Sequence, residues 1–254
     1  MQLWFRARFS PRVRSRRSAP VDVSNYFKAI GLLVRNPTLI VAPLFMALAA
    51  VLVGFIFPGG GTFASLNAGI EGFIIQLLEG FGLSVALIGA DTAWRRGRSP
   101  FDAAWEEGRR KLGDILMATI GYSFVLFAAG YVGGIFTVYG ALILTLLAAF
   151  FFIYTLPAAA IGGVPGGAAL QISLERARAA PLPTAIVLLA VFVTYFVIPQ
   201  IAASRLIGFL LELGVSYSTA LGQVVVALVQ SIAAAYVALI LAKTYNDISY
   251  RGYY

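Results

Sequence analysis

The residue in this chain best placed to do chemistry is an acid in an oily setting. Glu79 sits about a third of the way into a long apolar run, with Gly80 and Gly82 beside it. A carboxylate in hydrocarbon is costly, and the cost falls on its charged form. The chemistry expected of Glu79 is therefore a proton or substrate site in the interior of a helix bundle. Gln223 and Gln230 complete the candidate intramembrane polar site, with Gln200 and Tyr195 as further partners. Two plainer readings stand beside this one. Glu79 is neutral and hydrogen-bonded across helices as structural glue, or its helix starts later and places it near the membrane surface.

Other chemistry has little to stand on. The chain has no Cys and no His, which removes thiolate ligands, the commonest general base and the commonest metal ligand. Its glycine-rich stretches lack the following Lys-Ser or Lys-Thr of a nucleotide loop. No nucleophile–base constellation is visible, so the chain is expected to be a non-enzyme without a cofactor.

A second set of candidates is cationic. Arg12, Arg14, Arg16 and Arg17 lie in an N-terminal arm, Lys28 and Arg35 follow, and Arg109, Arg110 and Lys111 form a later cluster. Near an anionic membrane surface each such residue contributes on the order of 1 kcal/mol, so these nine are expected to contact anionic lipid headgroups. Trp4, Phe5 and Phe9 alternate with Arg6 and Arg8, which would also suit stacking on nucleic acid. An arm tethered at a membrane leaflet meets lipid more economically.

The elements that must position these residues are membrane spans. Of 254 residues, 60% are hydrophobic and 12% charged, about half the charge of an average soluble domain, and the mean hydropathy is +0.86. The 60 residues between Asp114 and Glu175 carry no charge. That is too long for one crossing of a roughly 30 Å hydrocarbon core, which takes about 20 helical residues. A turn is expected between Gly133-Gly134 and Tyr139-Gly140. Six spans are predicted at about 38–57, 72–93, 115–135, 141–161, 182–203 and 220–242. Lipid leaves no partner for exposed backbone groups, and runs without strict alternation point to helices. Pro43, Pro157 and Pro199 are expected to kink them.

Eighteen of the nineteen Lys and Arg residues fall on one side of these spans, with Arg205 alone on the other. The positive-inside rule then places both termini in the cytoplasm. Residues 1–23 are read as a retained basic arm rather than a cleaved signal, 24–247 as the membrane domain and 248–254 as a cytoplasmic tail. Within the membrane domain three units resemble each other in order and polarity, at 24–94, 99–163 and 167–247. Each opens with a short amphipathic stretch: Ser24–Asn36 with Tyr26, Phe27, Ile30, Leu33 and Val34 on its apolar face; Ser99–Gly113; and Ala168–Ala180 with Leu170, Leu174 and Ala177 on its apolar face. Glu106 with Arg110 and Glu107 with Lys111 are expected i,i+4 pairs. Gly130 with Gly134 and Gly163 with Gly167 have the spacing that allows close helix approach. The fold class is an all-α membrane protein: six transmembrane helices as three hairpins, each preceded by a cytoplasmic amphipathic helix in the headgroup layer.

Three short motifs carry a resemblance. They are Arg35-Asn36-Pro37-Thr38-Leu39-Ile40, Gly97-Arg98-Ser99-Pro100 and Lys243-Thr244-Tyr245-Asn246-Asp247. Their arrangement resembles that of a broad group of uncharacterised prokaryotic six-helix membrane proteins. The group includes the membrane domain attached to some glycerophosphodiester phosphodiesterases, here without the catalytic domain. The resemblance implies architecture and a place in the cytoplasmic membrane of a prokaryote, and transfers no catalytic residue. Two functions remain open. One is a scaffold, assembly partner or auxiliary subunit bound to a membrane protein or to a second copy of itself. The other is a transporter or lipid-handling protein with a polar cavity lined by Glu79. The first requires a packed interior, the second a polar cavity near mid-membrane.

Overall fold

The structure is a computed structural model, which describes residues 23–56, 64–214 and 219–249. Among the described residues there is no strand. Six helical stretches are long and apolar enough to cross a membrane: Pro37–Ile56, Ala68–Arg96, Leu112–Phe136, Val138–Ala160, Pro181–Glu212 and Leu221–Ile248, here spans 1 to 6. Span 1 is α2 (Val41–Ile56) entered through a 3-10 turn at Pro37–Ile40, and a short helix α1 (Ser24–Arg35) precedes it. Span 2 is α3 (Ala64–Arg96), and α4 (Phe101–Arg110) leads to span 3, α5 (Leu112–Phe136). Span 4 is α6 (Val138–Phe152) plus α7 (Thr155–Ala160), and α8 (Gly166–Ala179) follows. Span 5 is α9 (Pro181–Phe192), a π-helical turn at Val193–Val197 and α10 (Ile198–Glu212), and span 6 is α11 (Thr219–Ser249).

Spans 2 and 6 form the centre, with 56% and 61% of their apolar stretches buried, against 17% for span 3 and 11% for span 5. Small residues make this possible, because helices in lipid gain most from close packing. On α11, Ala234, Ala235, Ala238 and Ala242 are buried; on α3, Ala86, Ala90 and Ala93. A Cβ on Gly82 would stand 3.1 Å from Met46 and 3.2 Å from the Pro43 Cα, so α2 lies against the α3 backbone there. The α5–α6 turn is a one-residue break at Thr137, whose hydroxyl accepts from the Gly140 N–H at 2.9 Å. There the Gly133 and Gly140 backbones touch. Gly163, by contrast, ends span 4 in the left-handed region at φ 64°, and Gly167 faces open space. That pair is part of a turn, and the packing glycine is Gly166, against Asp114 and Met117.

Two prolines interrupt spans 4 and 5. A helical proline leaves the carbonyl four residues earlier without a donor. For Pro157 that residue is Ile153, where α6 gives way to α7. The Tyr154 N–H donates to the Ser173 hydroxyl of α8 at 3.0 Å, and that hydroxyl donates to the Phe151 carbonyl at 3.0 Å. For Pro199 it is Tyr195, at the middle of the π-helical turn.

The Arg/Lys-rich ends of the spans are stitched together. Asn36 is 4% exposed. Its amide donates to the carbonyls of Leu32 at 3.0 Å and Gly97 at 3.2 Å, and its side-chain oxygen accepts from the Ser99 N–H at 2.9 Å. The Thr38 hydroxyl donates to the Ser99 carbonyl. Two of the motifs singled out in the sequence thus meet across 63 residues. At the third motif, Asn246 donates to Asp91, which also pairs with Arg95. The Arg176 guanidinium lies 3.4 Å from the Tyr245 ring centre. The junctions into α2 and α9 share one backbone shape, with Asn36 at φ −129°, ψ 64° and Ala180 at φ −138°, ψ 65°, each before a proline.

The lead-in helices depart from their sequence readings in detail. On α8 the buried face is Gly166, Ala169, Ser173 and Ala177, a strip of small residues that admits α5, α6 and α7, while Leu170 and Leu174 are only half-buried. Arg110 pairs with Glu107, as does Lys111, and the expected Glu106–Arg110 pair does not form. On α1, Ala29 is buried and Tyr26 and Leu33 half-buried against the bundle, while Phe27, Ile30 and Val34 are exposed. Burial beside α11, with Tyr236 nearby, pushes the Tyr26 phenol up from its ordinary range.

Candidate functional site

Glu79 is 11 residues from the Ala68 end of span 2 and 17 from the Arg96 end, roughly 16 and 26 Å along a helix rising about 1.5 Å per residue. Glu79 therefore lies away from both ends of the span. The turn below it, from Gly80, lies against Thr119 of α5, a closeness only a residue without a side chain allows. The turns above it carry Gly69 and Gly72, which meet nothing within 4 Å. α3 is therefore packed on one side of Glu79 and unfilled on the other.

The unfilled side is a cavity of about 920 Å³ bordered by all six spans. Span 2 contributes Gly69, Gly72, Phe73, Gln76, Glu79 and Leu83, at helical spacings that place them on one face. Span 6 contributes Gln230, Ser231, Ala234, Val237 and Leu241 in the same register. Spans 4 and 5 border it at their interruptions, through Ile153 and Leu156 beside the Pro157 break and through Tyr195 and Phe196 in the π-helical turn. The two prolines thus shape the walls. Span 3 adds Tyr122, Ser123, Phe124 and Phe127, and span 1 adds Pro43 and Ala47. The cavity is open on one flank: Phe124, Phe127 and Phe196 line it and are also 68%, 72% and 57% exposed. α5 and the π-helical turn of span 5, which carry that flank, are not a packed pair.

Charge and hydrogen bonding are sparse here. Glu79 is the only Asp, Glu, Lys or Arg among the described residues lining the cavity. Among the described residues it makes no ion pair and no hydrogen bond. Gln76, Tyr122, Tyr195 and Gln230 likewise have no hydrogen-bond partner among the described residues, and Tyr195 is near enough to Glu79 to interact electrostatically. The Thr119 and Ser231 hydroxyls are turned back onto the carbonyls of Ile115 and Ala227. Unpaired polar groups in an apolar wall are costly unless something else bonds them. The site is thus a short arc of free donors and acceptors in an aromatic and aliphatic chamber.

The sequence candidates divide accordingly. Glu79 and Gln230 face one cavity, and Tyr195 joins them. Gln223 does not: it is exposed on α11, two turns from Gln230 and outside the lining, and Gln200 is exposed on α10. Gln76 and Tyr122 were missed. Gln76 could have been found from its position three residues before Glu79, on the same helix face.

Among the cationic candidates, Arg12, Arg14, Arg16 and Arg17 lie outside the described residues, as does the rest of the basic arm. Lys28, Arg35, Arg109 and Arg110 are exposed at the basic end. Lys111 is turned inward, paired with Glu107 at 3.0 Å and donating to the Ala160 carbonyl at 2.8 Å. It secures the start of α5 to the end of α7. Arg205 and Glu212 lie on one continuous helix but form no pair. Searches among protein-family profiles, curated proteins and solved structures find no match to this chain.

Proposed function

We propose that this membrane protein takes a small amphiphilic molecule into the cavity beside Glu79, as a transporter or lipid-handling protein. The observation that carries the reading is a 920 Å³ chamber along the spans, whose lining includes Gln76, Glu79, Tyr122, Tyr195 and Gln230, none with a hydrogen-bond partner among the described residues. A scaffold gains from a filled interior, because packing is what holds helices together in lipid. An unfilled centre bordered by two interrupted helices is instead the arrangement in which transporters place their sites. The opening flanked by spans 3 and 5 faces where acyl chains would lie, so a membrane-dissolved molecule enters sideways.

In this reading the basic end faces the cytoplasm of a prokaryotic cell, on the positive-inside rule, and consecutive spans act as three hairpins. α1 lies in the headgroup layer. Its exposed Val23, Phe27, Ile30 and Val34 share one face, and exposed Lys28 and Arg35 flank it, which suits acyl contact below and phosphate contact above. The matching junctions before α2 and α9 support the repetition of the units.

The native absence of Cys permits a direct test. In liposomes, the Gln76→Cys and Gln230→Cys variants should react with a small membrane-permeant maleimide, while Ala238→Cys, at a fully buried position, should not. Equal protection at all three positions would mean a filled interior and would return the scaffold reading to first place.

A further inference from the structure

We infer that the cavity's ligand is a lipophilic cation, held by Glu79 and the aromatic side chains around it. The inference rests on the reading of the cavity as a binding site and adds the charge of what enters.

Glu79 is exposed to the open cavity, and a carboxylate beside so apolar a wall is favoured by a neutralising partner or a proton. Among the described residues no Lys or Arg lines this cavity, and Glu79 has no ion pair or hydrogen bond there. A cationic ligand would supply the missing charge. The wall around the acid suits that charge: Phe73, Tyr122, Phe124, Tyr195 and Phe196 all border the chamber, and aromatic faces attract cations, the more so when water is excluded. The uncharged remainder of the wall fits an apolar body. An anionic headgroup would meet the Glu79 carboxylate with no counter-charge present, so phospholipid phosphates are disfavoured as occupants. Specificity then comes as much from what the single acid repels as from what it attracts.

The test uses two probes of nearly the same shape and opposite charge, tetraphenylphosphonium and tetraphenylborate, titrated calorimetrically into the full chain in nanodiscs of neutral lipid. The phosphonium should bind at least about tenfold more tightly than the borate. Glu79→Gln should weaken the phosphonium at least about tenfold and leave the borate unchanged or improved, while Glu79→Asp keeps part of the preference. Glu71→Gln, at an acid outside the cavity lining, should change neither. Thermal melts of each variant check that the fold is intact. If both probes bind alike and Glu79→Gln affects neither, the cation inference is overturned. Absence of phosphonium binding overturns it too. In either case the maleimide reaction of Gln76→Cys and Gln230→Cys decides separately whether the cavity reading survives.

Discussion

The break in span 4 offers a sharp test of how the cavity wall is built. Pro157 leaves the Ile153 carbonyl without its helical donor, and the chain opens at Ile153 and Tyr154. Ser173 then fills the gap, accepting from the fully buried Tyr154 N–H at 3.0 Å and donating to the Phe151 carbonyl at 3.0 Å. Ser173→Ala removes both bonds. An orphaned buried N–H costs about 1–3 kcal/mol, and a carbonyl with a second lone pair costs less, so a loss of about 2 kcal/mol is expected. In a Pro157→Ala background the helix can close, Tyr154 can donate within its own helix, and Ser173 becomes dispensable. The same Ser173→Ala change should then cost under ~1 kcal/mol, a coupling of about 1–2 kcal/mol. Reversible unfolding of the four proteins in mixed micelles, with denaturing detergent as the variable, measures the cycle. Additivity within ~0.5 kcal/mol would refute the claim that the proline creates the gap that the serine fills. Pro157→Ala should also narrow the cavity at Leu156, read as slower maleimide labelling of Gln230→Cys.

Other outcomes follow from single contacts. Asn36→Ala strands the Ser99 N–H and removes three bonds, so it should cost roughly 2–3 kcal/mol in the same unfolding assay. Gly80→Ala drives a methyl into Thr119 and should cost about 1–3 kcal/mol, with most of it recovered in a Gly80→Ala, Thr119→Ala double variant. Arg176→Lys keeps the charge but loses the planar stacking on Tyr245, and a loss of about 0.5–2 kcal/mol is expected by thermal melt. Lys28→Gln with Arg35→Gln should reduce co-purifying anionic lipid, each by an effect of about 1 kcal/mol at low salt; unchanged lipid content would remove α1 from the headgroup layer.

Some of this molecule is written locally and some is not. Hydropathy alone places six spans, because about 20 consecutive apolar residues have no comparable way of being soluble. Proline stereochemistry alone marks Pro157 and Pro199, since a missing N–H acts within four residues. The Gly133–Gly140 turn was legible for the same reason, and so was Glu79, as a charge where charge is expensive. Sequence reasoning went astray where one face of a helix had to be chosen. It paired Glu79 with Gln223 as readily as with Gln230, gave α8 a face of Leu170, Leu174 and Ala177 where only Ala177 of these is fully buried, beside Ala169 and Ser173, and expected Glu106 to hold Arg110.

The reason is physical. In water an apolar stripe announces the core, but lipid and protein interior are equally apolar, so a membrane helix such as α3 or α11 is oily all round and carries no period that says which side is inside. Which way Glu79 faces is settled by small residues meeting across distant segments: Gly82 against Met46 and Pro43, Gly80 against Thr119, and Asn36 bonded to Ser99. The sequence by itself determined that this chain lives in a membrane, how often it crosses and that one acid is out of place. Only the tertiary structure decided that the acid faces a chamber and that Gln76, Tyr122, Tyr195 and Gln230 share it, because those contacts depend on how six nearly featureless rods pack, and packing is a property of all of them together.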